Sequence, residues 1–114
     1  MSISLEDRRV IAAPVVSVVI PAYREAENLP VIIPRLSLAL SKANLEAEII
    51  IVDDYSGDGT AQVCQDLAKQ YPVRLETRQN ERGLSSAVLH GLRRAKGDVL
   101  IVMDADLSHP PEKV

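Results

Sequence analysis

The sequence predicts an α/β protein built on a parallel sheet of about four strands, in the order 3-2-1-4, with helices on both faces. Two observations carry this. Four short apolar, β-branched runs alternate with three amphipathic stretches, giving β-α-β-α-β-α-β. Polar, turn-forming loops follow the first, second and fourth runs, where a doubly wound sheet places its ligands, beyond the carboxyl ends of its strands. Right-handed crossovers then restrict the topology to a few arrangements.

Residues 1–14 read as a lead-in. VVSVVI (15–20) is a buried strand, continuous in apolar residues as a central parallel strand must be. Asn28 reads as the N-cap of a helix in which Leu29, Ile32, Ile33, Leu36 and Leu40 share one face. Pro30 suits its first turn, whereas Pro34 is expected to kink the helix or delay its start. EIIIV (48–52) is the second strand. Thr60 is a candidate N-cap for a second helix with Ala61, Cys64, Leu67, Ala68 and Tyr71 facing inward. VRLET (73–77) is more polar, as an edge strand would be. A third helix runs from Leu84 to about Lys96, with Leu84, Ala87, Val88, Gly91, Leu92 and Ala95 inward and Gly97 as its C-cap. DVLIVM (98–103) is the fourth strand.

Composition bounds the function. The chain of 114 residues is one domain's worth, 46% hydrophobic and 25% charged, which fits an ordinary globular protein. Its net charge of −3 argues against a nucleic-acid partner, which would demand clustered Lys and Arg. The single cysteine, Cys64, allows no intrachain disulfide, fits a reducing, cytoplasmic setting, and reads as packing. No run is long enough for a transmembrane helix, and the N-terminus lacks the apolar core of a signal peptide.

Acidic residues cluster in three loops on one edge of the expected sheet, and nothing comparable is expected at the opposite edge. After the first strand come Pro21, Ala22, Tyr23 and Glu25. After the second come Asp53 and Asp54, in DDYSGDGT. After the fourth come Asp104 and Asp106, in DADLSHPP. Residues i and i+2 of an extended segment point the same way, so Asp104 and Asp106 can present two carboxylates together. Such a pair invites a divalent cation, which takes oxygen ligands. Asp106 could instead cap the next helix. One of Asp53 and Asp54 suits turn chemistry, while the other could accept hydrogen bonds from a nucleobase. Glu25 could serve the start of the first helix or contact a nucleoside. Arg82 and Gly83 open the third helix, whose N-terminus could face an anion.

IPAYREAENLP, IIIVDDYSGDGT and RGLSSAVLHGLRRAKGDVLIVMDADLSHPPE together resemble the N-terminal half of family 2 glycosyltransferases of GT-A fold, in particular the polyprenol- and dolichol-phosphate mannosyltransferases. The resemblance covers residues 15–114, a nucleotide-sugar-binding half of such a domain. It implies inverting transfer of a sugar, mannose from GDP-mannose, to a polyprenyl or dolichyl phosphate at the cytoplasmic face of a membrane. By motif position, Pro21, Ala22, Tyr23, Glu25 and Asp53 match nucleoside-binding residues. Asp104 and Asp106 match the acids that hold Mg2+ or Mn2+ and, through it, the donor diphosphate. Arg24 stands where the family usually has Asn, and Tyr55 where a small residue is usual. Family members also continue past this point, so the isolated chain is expected to lack turnover and to self-associate through an exposed sheet edge.

Two rivals are weaker. A phosphatase of the haloacid dehalogenase type would carry its D-x-D after the first strand. A nicotinamide-binding domain would show G-x-G-x-x-G there. A UDP-sugar transferase of the same family, or a nucleotide-binding module without turnover, stands as the alternative function.

Overall fold

In a computed structural model, residues 15–54, 57–79, 83–105 and 112 are described. The strands are β1 (Val16–Ala22), β2 (Ala47–Asp53), β3 (Val73–Thr77) and β4 (Val99–Val102), and the helices are α1 (Leu29–Lys42), α2 (Thr60–Leu67) and α3 (Leu84–Arg94). All pairings are parallel and the order is β3-β2-β1-β4, as the sequence predicts.

The period-two alternation of each strand divides the core. Val73, Ile49, Val18 and Ile101 align across the sheet on the face covered by α1 and α2. Val19, Ile50 and Val52 point the other way and pack against Ala87 of α3. The expected inward stripe of α1 (Leu29, Ile32, Ile33, Leu36 and Leu40) is fully or almost fully buried. Such aliphatic burial, roughly 1.5–3 kcal/mol per large side chain, supplies the main drive to fold.

Several local expectations are corrected. Asn28 occupies the N-cap position of α1 as expected, but its backbone is already αR and its side chain makes no cap bond. α1 starts at Leu29, so Pro34 does not delay it; Pro34 lies inside the helix, where its missing N–H gives up one bond, to the Pro30 carbonyl in the first turn. Thr60 is the first residue of α2, and the cap position belongs to Gly59, at φ 92. Val63 packs inward from α2, whereas Ala61 and Ala68, the residue after the helix, are exposed. Leu84 is 64% exposed rather than packed. The cap of α3 is Ala95, and Gly97 serves close approach instead. A Cβ there would lie 2.8 Å from the Ser17 backbone nitrogen, and the Gly97 N–H donates to Ser17 Oγ at 2.8 Å.

The amino-terminal end of the sheet also carries polar structure that sequence reading did not expect. Ser17 Oγ donates to Glu48 Oε2 at 2.6 Å, the Lys96 N–H donates to the same oxygen at 2.6 Å, and Arg74 Nη1 donates to Glu48 Oε1 at 2.8 Å. Burial pushes the Glu48 carboxyl up. The hydrogen bonds from Ser17 and Lys96 and the charge of Arg74 outweigh it and hold the group below the usual carboxylate range. This network fastens the end of α3 to β1 and β2.

Candidate functional site

The carboxyl ends of β1 and β2 and the first turn of α3 enclose a cavity of about 280 Å3, lined by Pro21, Ala22, Tyr23, Asp54, Gly83, Leu84 and Ala87. Its walls are mostly apolar, with the Tyr23 ring at its rim, the kind of slot that accepts a flat, partly polar ring. Four sequence candidates therefore meet: Pro21, Ala22, Tyr23 and Asp54. Exposed Leu84, out of place in a core, makes sense as part of this wall.

The adjacent acids Asp53 and Asp54 part company because neighbouring residues of an extended chain face opposite sides. Both are buried, at 3% and 8% exposure. Asp53 lies on the α1/α2 side, near enough to Cys64 for its charge to be felt there. Burial, with that charge second, pushes the Cys64 thiol up to about 12, so Cys64 is inert packing as expected. Asp54 faces the cavity side and forms a two-pronged ion pair with Arg78, Nε to Oδ1 at 2.8 Å and Nη2 to Oδ2 at 2.9 Å. Asp54 thus links the end of β2 to Arg78 and, through the Gly83 N–H, to the start of α3.

Arg78 was not among the sequence candidates, yet a signal for it exists. Thr77 pairs with Asp53 in the parallel register, so the residues that follow, Arg78 and Asp54, must meet. The Arg78 N–H also donates to the Asp53 carbonyl at 2.8 Å. Asp58 was likewise missed. Its Oδ2 accepts the Ala26 N–H at 3.3 Å, and its Oδ1 accepts the Thr60 N–H at 3.1 Å and the Thr60 hydroxyl. It ties the loop after β1 to the start of α2. Burial pushes its carboxyl up, but the bonds from the Thr60 hydroxyl and from Ala26 prevail and leave it lowered.

Glu25 lies outside the cavity lining. Its Oε1 accepts Asn28 Nδ2 at 2.7 Å and its carbonyl accepts the Asn28 N–H at 3.0 Å, which starts α1. Arg24 takes the left-handed region at φ 58, and its guanidinium sits 5.3 Å from the centre of the Tyr23 ring. Asp104 follows β4, half-buried. Its neighbours Met103 and Ala105 both enter the α1/α2 core, so Asp104 is turned from it. Asp106, Arg82 and Tyr55 lie outside the described residues. Among the described residues no group of three or more His, Cys, Asp or Glu side chains is poised to hold a metal ion. Asp104, the one described carboxylate at the end of β4, is of the donor type that a hard cation takes.

Residues 17–114 match the family model described as glycosyl transferase family 2. The chain is 50% identical over 99 residues to a dolichol-phosphate mannosyltransferase of Pyrococcus furiosus, covering 87% of this chain and 28% of the relative. It is 50% identical over 100 residues to the Saccharomyces cerevisiae protein of the same name, covering 86% of this chain and 38% of the relative. The chain thus spans about a third of the length of such relatives. Among solved structures, a mannosyltransferase from Pyrobaculum calidifontis in complex with GDP-Man and Mn2+ superposes with a TM-score of 0.64 at 27% identity, over 84% of this chain and 28% of that one. Mannosyl-3-phosphoglycerate synthase from Rubrobacter xylanophilus superposes with a TM-score of 0.68 at 26% identity, over 89% of this chain and 33% of that one. The chain belongs to glycosyl transferase family 2.

Proposed function

We propose that this family 2 glycosyl transferase chain is the donor-binding portion, residues 15–114, of an enzyme that moves mannose from GDP-mannose to a dolichyl or polyprenyl phosphate with inversion. The observation that carries the reading is the cavity at the carboxyl ends of β1 and β2, with Asp104 at the end of the neighbouring strand β4. The names of the relatives supply the sugar and the acceptor class.

In this reading the cavity takes the nucleoside. Pro21 and Ala22 give it a rigid, apolar floor and Tyr23 offers a ring face for a base to stack on. Asp53 and Glu25, matched to nucleoside-binding positions by the resemblance, stand outside the lining and would accept hydrogen bonds from base or ribose only where the donor reaches past the cavity. Asp54 shapes the pocket rather than reading the ligand. Asp104 and Asp106 would hold a Mg2+ or Mn2+ ion. When bound, that ion offsets the negative charge of the leaving nucleoside diphosphate. Arg82 would face the anionic part of the donor from the start of α3. The acceptor phosphate is already anionic, so its attack needs no strong base.

A lipid acceptor brings the reaction to a membrane surface, and we assign the chain to the cytoplasmic face, where a reduced Cys64 fits. Among the described residues, no helix is long and apolar enough to cross a membrane. Among the described residues no strand pairs with the outer edge of β4, where Val99, Leu100 and Val102 are each 44–48% exposed, and in this reading that edge is a template through which copies of the isolated chain would associate.

Isothermal titration with GDP, GDP-mannose and UDP-glucose tests the donor assignment. Guanine nucleotides are expected to bind more tightly than UDP-glucose. Equal binding of both would favour a transferase of the same family that uses UDP-sugars.

A further inference from the structure

We infer that Arg78 is the positioning residue of the nucleotide pocket: one buried guanidinium locks the first turn of α3, and with it half of the cavity wall, against the loop that follows β2. The inference rests on reading the cavity as the nucleoside site.

The cavity has two sides that no strand joins. One side comes from β1 and the residue after β2. The other is the start of α3, with Gly83, Leu84 and Ala87. α3 begins without a side-chain cap, at Gly83, whose φ of 117 and ψ of 145 leave it outside the helix. A helix start lacking a cap is free to fray or shift unless something else holds its end. Here the Arg78–Asp54 pair does so by gripping both polar groups of one residue. The Gly83 N–H donates to Asp54 Oδ2 at 3.1 Å, and Arg78 Nη2 donates to the Gly83 carbonyl at 3.2 Å. Arg78 Nη1 adds a third hold, donating to Ser86 Oγ at 2.9 Å. The Gly83 carbonyl also accepts the Ala87 N–H at 3.0 Å, and Ala87 is the buried anchor of α3 on the sheet.

The chemistry demands arginine. All three guanidinium nitrogens donate at once, in one plane, to a carboxylate, a hydroxyl and a carbonyl on two elements. The Arg78 side chain is 3% exposed, so nothing in solvent replaces a lost bond. A lysine keeps the charge but is a single point donor that cannot span these acceptors. The far end of α3 is held separately, through Arg74, Glu48 and Ser17. Loss of Arg78 therefore releases one end of α3 and not the other, which makes the effect a matter of pocket geometry and not of stability alone.

The test compares Arg78→Lys, Ser86→Ala and, as control, Arg74→Lys, each in the whole chain. The readouts are GDP affinity by calorimetry, with Mn2+ present, and amide hydrogen exchange across residues 83–87. Charge-assisted hydrogen bonds set the scale. Arg78→Lys is expected to weaken GDP binding about tenfold or more, and Ser86→Ala a few-fold. Both speed exchange at the Ala87 amide. Arg74→Lys, which lowers stability from the other end, leaves GDP affinity within about twofold of the parent. Ser86→Ala keeps the ion pair and so keeps the fold, even where Arg78→Lys does not. Parent-like GDP affinity in both Arg78→Lys and Ser86→Ala, or an equal loss in Arg74→Lys, overturns the proposal. If the parent chain binds no nucleotide, the functional reading fails, and exchange at residues 83–87 still judges the positioning. Exchange unchanged by Arg78→Lys and Ser86→Ala overturns it there.

Discussion

Gly91→Ala should destabilise the chain, although it replaces glycine by the best helix former in the middle of α3. Two effects oppose each other. Removing a glycine from a helix interior stabilises by about 1 kcal/mol. Against it, the new Cβ lies far inside contact distance of Val19 Cγ1, 3.1 Å from Val52 Cγ2 and 3.2 Å from Val19 Cγ2. Val19 and Val52 are fully buried in the two central strands, so neither can step aside. Overpacking of this kind costs roughly 1–3 kcal/mol, and the closeness to Val19 puts the cost at the upper end. The net loss is about 1–2 kcal/mol, from the difference of those two terms. Urea unfolding at neutral pH measures it directly. A double-mutant cycle with Val19→Ala isolates the cause. Val19→Ala alone costs roughly 2 kcal/mol or more, as two buried methyl groups vanish. Placed together, the new methyl enters the space left by the old ones, and the pair should cost less than the sum by about 1 kcal/mol or more. A Gly91→Ala variant as stable as the parent, or strict additivity in the cycle, would refute the close seating of α3 on β1.

Other outcomes follow from individual contacts. Arg24→Asn should raise the thermal midpoint, because Asn tolerates the left-handed region that Arg24 occupies at φ 58, and a scanning calorimeter reads the change. A lower midpoint would mean that the contact of Arg24 with the Tyr23 ring outweighs the backbone strain. Glu48, held below the usual carboxylate range, contributes stability that is present above its unfolded pKa and lost as pH falls through the folded one. Urea midpoints should therefore drop between neutral pH and the acid side of the carboxylate range, and drop less in Glu48→Gln; equal slopes would contradict the network. Leu100→Lys, at a position 48% exposed on the β4 edge, should shift the chain toward monomer in sedimentation experiments, and an unchanged distribution would exclude that edge as the contact.

The fold was legible because β1, β2 and β4 announce themselves as apolar runs, β3 as the more polar strand of an edge, and each α1 core position falls on one helical stripe. The short helices were harder. In α2 the alanines fit the inward spacing as well as Val63 does, and periodicity alone does not say which residues reach the sheet. Leu84 misled for a related reason: it faces a cavity, where an apolar residue is needed but not packed. Of the candidate site, the β1 loop was legible from local sequence. The different fates of Asp53 and Asp54 were not, since they depend on which face of a strand each one occupies. Arg78 lies 24 residues from its partner and is linked to it only by the register of β2 and β3, so it becomes visible only after strand order is known. The Ser17–Glu48–Arg74 network has the same origin. Polar residues buried across neighbouring strands look, one at a time, like ordinary surface residues.

The central claim, a metal-assisted guanine-nucleotide site at the carboxyl ends of β1, β2 and β4, is tested most directly by titrating the chain with GDP in Mn2+ and again in EDTA, alongside Asp104→Asn. Binding in Mn2+ is expected to weaken strongly in EDTA, and the Asp104→Asn variant to bind weakly under both conditions. GDP binding of equal strength with and without the metal, unchanged by Asp104→Asn, would contradict it.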